Sequence, residues 1–174
     1  GVIDKDMALS LPAVASAVDR IANTVASIPI KFYRYESTTD RSGATKRKVV
    51  EIEDDRADLL NGDTGDTLDG FQLKKAIVSD YLLDKGGYAY INRRGNTVKS
   101  INYVDATYIT ILQGVNNTQI FKRYKIQVDA KEYTPDNFIK VLRSTKNGVD
   151  GESLIEQVSK AIEAAYQTIL LQLK

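Results

Sequence analysis

Gly86-Gly87, the acidic stretch from Asp63 to Asp69, the basic run Thr45-Lys46-Arg47-Lys48 and ten tyrosines are the residues of this chain whose types and spacing could do chemistry. Adjacent glycines can cradle a phosphate, but the cradle needs backbone N–H groups converging at the start of a following helix. Around Gly86-Gly87 the order is reversed: a helix-like run, the glycines, then a strand-like run. The pair therefore stands at the negative end of a helix dipole, which repels phosphate. Neither GxxxxGK[ST] nor GxGxxG occurs. A helix C-cap leading into a central strand is the reading the residues support.

The acids of 61–70 suggest calcium. Counted from Asp63, however, an EF-hand loop would place Gly65 third, Thr67 fifth and Lys74 twelfth, where oxygen ligands are required. A solvated turn capping the next helix fits better. The run Thr45–Lys48 could contact phosphate, but Glu51–Asp55 follows at once. That neighbourhood predicts a hairpin carrying cross-strand or adjacent salt bridges. Tyrosines on an open sheet could stack bases. Most of the ten fall in strand patterns, where a ring at a sheet surface or interface is ordinary. No pair of carboxylates is spaced locally for acid–base work.

Composition narrows the chemistry further. The 174 residues suit one domain, or one domain with an appendage. An apolar fraction of 43% permits a real core. With 24 basic and 23 acidic residues the net charge is +1, which argues against a nucleic-acid binder driven by overall charge. There is no cysteine, hence no disulfide, thiolate nucleophile or zinc–thiolate site. There is no histidine, so the commonest general base and transition-metal ligand are missing. No catalytic residue, metal or cofactor is expected. The absence of cysteine suits a reducing cytosol. No apolar run has the length of a bilayer span. The opening "GVIDKDMALS" lacks the basic and apolar regions of a signal peptide, and its leading Gly in place of Met is expected of a trimmed start.

Periodicity then predicts the elements. A helix is expected over 10–27, with Ser10 as N-cap, Pro12 in the first turn and Val14, Val18, Ile21, Ala22 and Val25 as its apolar stripe. Pro29 stops it. A strand over 28–36 and a return strand over 48–52 make a hairpin with a long polar tip. A short helix over 53–62 ends at Asn61-Gly62. A second long helix starts at Thr67, carries Leu68, Phe71, Ala76, Ile77, Val78, Tyr81 and Leu82, and ends at Lys85-Gly86. The period then changes from 3.6 to 2. Strands are expected over 88–93, 97–104, 107–113 and 118–128 as a β-meander, with two short ones over 131–134 and 138–143.

The segment 152–174 reads as a helix with an acidic start at Glu152 and Glu156. Leu154, Ile155, Val158, Ile162, Ala165, Ile169, Leu170 and Leu173 lie on one broad apolar face. The helix has no stop signal before Lys174, so the natural chain is expected to continue. The face looks too wide for one docking surface within the chain and is expected to pack against other copies. The fold class expected is α+β: a mostly antiparallel sheet with two or three helices and a C-terminal helical arm.

The order of these blocks carries a resemblance. "LPAVASAVDRIANTVASIPIKFYR" is a helix running through a short Pro-containing apolar segment into a strand. "FQLKKAIVSDYLLDKGGYAYINRRGN" is a helix closing on Gly and entering an aromatic strand. "FIKVLRS" and "NGVDGESLIEQVSKAIEAA" follow as a strand and a Gly-containing turn into a long helix. Together they resemble the HK97-like family of tailed-phage portal proteins over nearly the whole chain. Departures are visible: Gly87 stands where the family usually has Asn before Ala-Tyr. Asp150-Gly151-Glu152-Ser153-Leu154 lacks the family's second Gly and its Pro. A His common in the preceding strand is absent near Lys140 and Val141.

The resemblance implies a non-enzymatic subunit of a ring, typically a dodecamer, at one capsid vertex of the virion, assembled in the host cytoplasm. It implies as partners further copies of the chain, the terminase large subunit, capsid or scaffold proteins, head–tail adaptors, and double-stranded DNA passing through the channel without sequence specificity. Residues 1–151 would form a wing-like domain and 152–174 the start of a stem-like helix. The alternative from the residues alone is a small non-catalytic α+β domain that binds a ligand or nucleic acid through the meander over 88–128.

Overall fold

The computed structural model describes residues 3–173. Gly1, Val2 and Lys174 lie outside the described residues, and with them the trimmed start and the last residue of the expected C-terminal helix.

The first element is one the sequence did not announce. Helix α1 (Lys5–Leu9) forms because the Asp4 carboxylate accepts a hydrogen bond from the Met7 N–H at 2.9 Å. Ser10 closes this short helix instead of opening the next. Helix α2 (Pro12–Ala26) starts at Pro12, whose missing N–H is one the helix would leave unsatisfied anyway. Its stripe is rotated from the expected one. Ala22 and Ala26 are buried, while Ile21 and Val25 face outward, because the small residues let α2 approach the neighbouring helix closely.

Strands β1 (Phe32–Thr39) and β2 (Thr45–Ile52) form the expected hairpin, with Phe32 opposite Ile52 and Thr39 opposite Thr45. The first strand begins four residues later than expected. The Asn61 side chain occupies both polar groups of Ile30, accepting from its N–H at 2.8 Å and donating to its carbonyl at 2.7 Å. Asn61 belongs to helix α3 (Asp55–Asn61), capped by Asp54. Gly62 follows without the left-handed backbone of a glycine cap. Helix α4 (Gly70–Leu83) begins at Gly70, not Thr67. Asp69 and Gln72 bond each other's backbone N–H groups reciprocally, and this capping box fixes the start.

The expected meander is divided. β3 (Gly86–Arg94), β4 (Thr97–Val104) and a later strand β8 (Phe138–Leu142) form one antiparallel sheet in the order β4-β3-β8. β5 (Thr110–Gln113), β6 (Tyr124–Val128) and β7 (Lys131–Tyr133) form another in that order. β4 does not pair with β5, because the Asp105 carboxylate accepts from the Thr107 N–H and nucleates a 3-10 turn over Ala106–Tyr108 that redirects the chain. Residues 118–123, expected as strand, lie in a loop. Its neck is closed by the Gly114 N–H on the Arg123 carbonyl and the Arg123 N–H on Asn117 Oδ1, both at 2.7 Å.

The first sheet is the middle layer. Ala89 of β3 and Ile101 of β4 pack on Leu73 and Ile77 of α4, while Tyr88 and Phe138 on the opposite face pack on Ile126 of the second sheet. Gly86 and Gly87 lie inside β3, opposite Leu142 and Val141, and do not cap α4, which has already ended at Leu83. A Cβ on Gly87 would stand 2.3 Å from the Ile77 carbonyl oxygen. Gly87 thus admits α4 to the central strand, while Gly86 lies against the Val141 carbonyl of β8.

The β6–β7 turn places Asp129 at φ +49° and Ala130 at φ +62°. Such two-residue turns favour Gly at this second position. Ala130→Gly is therefore expected to raise stability by about 0.5–1 kcal/mol. Urea denaturation checks this, and a lower midpoint for the variant would contradict it.

Candidate interaction surface

The last helix, α5 (Leu154–Gln172), is capped by Ser153 and departs from helical geometry at Val158 (φ −110°, ψ 15°). Its apolar face divides in two. Ile155 and Ile162 are buried with Ala8, Leu11 and Leu83, and Ile169 packs against the same cluster. The expectation that this whole face lacks a home in its own chain is thus corrected: α1, absent from the sequence reading, covers part of it. Leu154 is half-buried; Val158, Ala165, Leu170 and Leu173 face outward, joined by Leu171, which is 71% exposed.

What holds α1 in place is a charged cluster that periodicity cannot find. Lys5 Nζ donates to Asp80 Oδ1 at 2.7 Å and Asp105 Oδ1 at 3.0 Å, with Asp84 Oδ2 at 3.7 Å. Asp80, only 4% exposed, also accepts from the Tyr103 hydroxyl at 2.7 Å and the Ala106 N–H at 3.2 Å. Burial opposes the Lys5 charge, but the hydrogen bonds to Asp80 and Asp105 outweigh it and hold its pKa above the ordinary value. Burial first, then the bond to Asp80, pushes the Tyr103 phenol strongly upward. No buried polar side-chain atom among the described residues lacks a hydrogen-bond partner, so the cluster fastens α1, α4 and the turn after β4 together. One sequence signal exists: Asp80 follows Leu73 and Ile77 on the buried side of α4.

A second feature is an open groove of about 380 Å³ between α2, α4 and β8. Val25, Ile28, Ile30, Ile77 and Val141 supply its apolar walls. Lys74, on its wall, donates to the Ile28 carbonyl at 3.0 Å. At Pro29 and Ile30 the groove runs into a depression edged by Glu51, Glu53, Asp55 and Asp58.

The remaining candidates separate from one another. Asp63 and Thr64 are absorbed in the turn before α4, with Asp63 accepting from the Gly65 N–H at 2.8 Å and the Thr64 hydroxyl donating to the Leu68 carbonyl. Among the described residues no group of three or more His, Cys, Asp or Glu could hold a metal ion. Lys46, Arg47 and Lys48 stand exposed on β2 and form no ion pair among the described residues. The acids expected to pair with them turn elsewhere: Glu51 binds Lys31 at 3.0 Å, and Asp54 binds Arg56 at 2.6 Å. The latter contact, with the Arg56 N–H, holds Asp54 down to about 2. Tyr90 and Tyr133 meet each other and Phe138 edge to face at 5.4–5.8 Å, so these rings are occupied as packing. No helix among the described residues is long and apolar enough to cross a membrane.

Helices on one face of a central antiparallel sheet and a second antiparallel sheet on the other make this a layered α+β protein with an apolar groove on its surface. The chain belongs to the phage portal protein family, whose profile matches residues 12–169. Among solved structures it is similar to an HK97 family phage portal protein from Corynebacterium diphtheriae, with 15% identity and a TM-score of 0.61. That match covers 98% of this chain and 48% of the other. It is similar also to a chain in the neck of an empty GTA particle computed with C6 symmetry, with 14% identity and a TM-score of 0.61, covering 97% of this chain and 45% of that one. The chain thus spans about half the length of these structures. No curated protein matches its sequence. The α+β fold with its C-terminal helix is that of the portal proteins.

Proposed function

We propose that the chain is a structural, non-catalytic part of a portal ring at a phage or prophage capsid vertex. The ring forms the channel for DNA packaging and ejection and joins head to tail. Its partners are further copies of the chain, the terminase large subunit, capsid or scaffold proteins, head–tail adaptors and double-stranded DNA, and no cofactor takes part. Residues 1–151 serve as the wing and 152–174 as the start of the stem. The observation that carries this reading is the family match running through nearly every element, from α2 into α5. The near-zero net charge supports it, since a conduit that held phosphates tightly would stall its cargo.

The outward residues of α5 are the proposed ring contact. Leu170→Glu with Leu173→Glu is expected to abolish rings while shifting monomer stability by no more than about 0.5 kcal/mol. Ile162→Ala is expected to cost about 2 kcal/mol in the monomer itself. Electron microscopy of the protein, with urea denaturation of each variant, checks both. Failure of the full-length protein to form rings, or a melting shift of several degrees with a single nucleotide, oligonucleotide or divalent cation, overturns the reading.

A further inference from the structure

We propose that the β5–β6 loop of one copy docks in the α2–α4–β8 groove of a second copy, as a repeated head-to-tail contact. The inference rests on the ring reading above and adds to the α5 contact a second pair of surfaces between neighbouring copies. The groove is apolar, open and unfilled by the described residues: Ile28 at its rim is 59% exposed. The loop carries Val115, Ile120 and Phe121, each at least 70% exposed. Three large, solvated apolar side chains on one short loop mark a contact site. The loop is also preorganised. Besides the closed neck, Thr118 Oγ1 accepts from the Phe121 N–H at 2.9 Å, so little order would have to be gained on docking.

Charge selects this occupant. The acidic depression lies at the Pro29–Ile30 end of the groove, and Glu53, Asp55 and Asp58 make no ion pair among the described residues. Directly after Phe121 come Lys122 and Arg123, both exposed and likewise outside any ion pair among the described residues. An apolar hollow followed by acids thus meets an apolar loop followed by bases. Geometry sets the mode. The groove belongs to the helical face of the central sheet, whereas the loop rises from the second sheet, which packs on the opposite face. The two surfaces of one molecule therefore point to different neighbours. Such a heterologous contact repeats and closes into a ring when the rotation permits.

The native absence of cysteine makes the test direct. Ile28→Cys and Phe121→Cys are placed in one chain, oxidised under mild conditions and run without reductant. A ladder of covalent multimers is expected. Mixing the two single variants should give only the mixed dimer, not homodimers. Adding Arg123→Glu should lower cross-linking about tenfold, and Asp58→Lys in the same chain should restore it. No ladder, or homodimers from either single variant, overturns the proposal, as does a ladder indifferent to both charge changes. The outcomes separate the two readings. Rings without the cross-link sink this contact alone, the cross-link without rings sinks the ring reading alone, and neither sinks both. Another protein seated in the groove would also abolish the ladder.

Discussion

Gly87→Ala is expected to cost about 3 kcal/mol, at the upper end of what one added methyl usually does in a packed interior. The new Cβ would stand 2.3 Å from the Ile77 carbonyl oxygen, 2.7 Å from Ile77 Cγ2 and 2.8 Å from Ile77 Cα. Two of those atoms are backbone, so no side-chain rotation relieves the clash. Either α4 retreats from β3 or the strand bends. Both openings loosen the cluster of Leu73, Ile77, Ala89 and Ile101, and Leu73 and Ala89 have no exposed surface to spare. Because Gly87 also pairs with Val141, the disturbance reaches β8 and the groove wall. Urea denaturation measures the loss. A cost below about 1 kcal/mol would mean that α4 is not held against Gly87 as described.

Lys5→Met is expected to cost about 3 kcal/mol. Asp80 would remain buried with its Oδ1 unpaired, since Tyr103 and Ala106 bond only Oδ2. Removing one partner of a buried ion pair is far more damaging than removing both, so Lys5→Met with Asp80→Asn should recover part of the loss. Lys5→Arg keeps the charge and should cost less than Lys5→Met. Loss of the clamp should also free α1 and expose Ile155 and Ile162, which dye binding to apolar surface would reveal.

Lys5 and Tyr103 of this cluster, with Tyr88 in the core between the two sheets, make stability depend on pH at the alkaline end. Lys5 and Tyr103 have folded-state pKa values above their unfolded ones, and burial pushes Tyr88 up to about 12. For all three the unfolded chain releases its proton first as pH rises. Their contribution to stability is therefore complete below about pH 10 and is lost on the way up through the folded values. Asp105 acts at the other end. Burial works against its charge, but bonds from the Thr107 N–H and hydroxyl and from Lys5 lower its pKa, so its contribution is lost as pH falls below about 4. Melting temperature measured from pH 3 to 12 should fall at both ends, and Lys5→Met should flatten part of the alkaline fall.

Much of this protein is determined by sequence alone because its signals are local. Pro12 at a helix start, the paired runs around Asp40–Ala44, the shift from period 3.6 to period 2 near Gly86 and the apolar spacing of 154–173 each act within a few residues. Together they specify an α+β chain with antiparallel pairing, and their order resembles the portal family to which the chain belongs. What only the tertiary structure decided depends on groups far apart in the chain. β3 takes β8 as its second neighbour across a gap that holds β4 and all three strands of the other sheet, and no local propensity encodes that choice. Lys5 meets Asp80 and Asp105 from 75 and 100 residues away, so the covering of α5 by α1 was invisible to any window of sequence. Gly86-Gly87 was legible as a junction, but Gly87 was not legible as a passage for a helix, because its meaning lies in the Ile77 backbone that faces it. Period tells which side of an element is oily; only the arrival of a distant partner decides whether that side is core or surface.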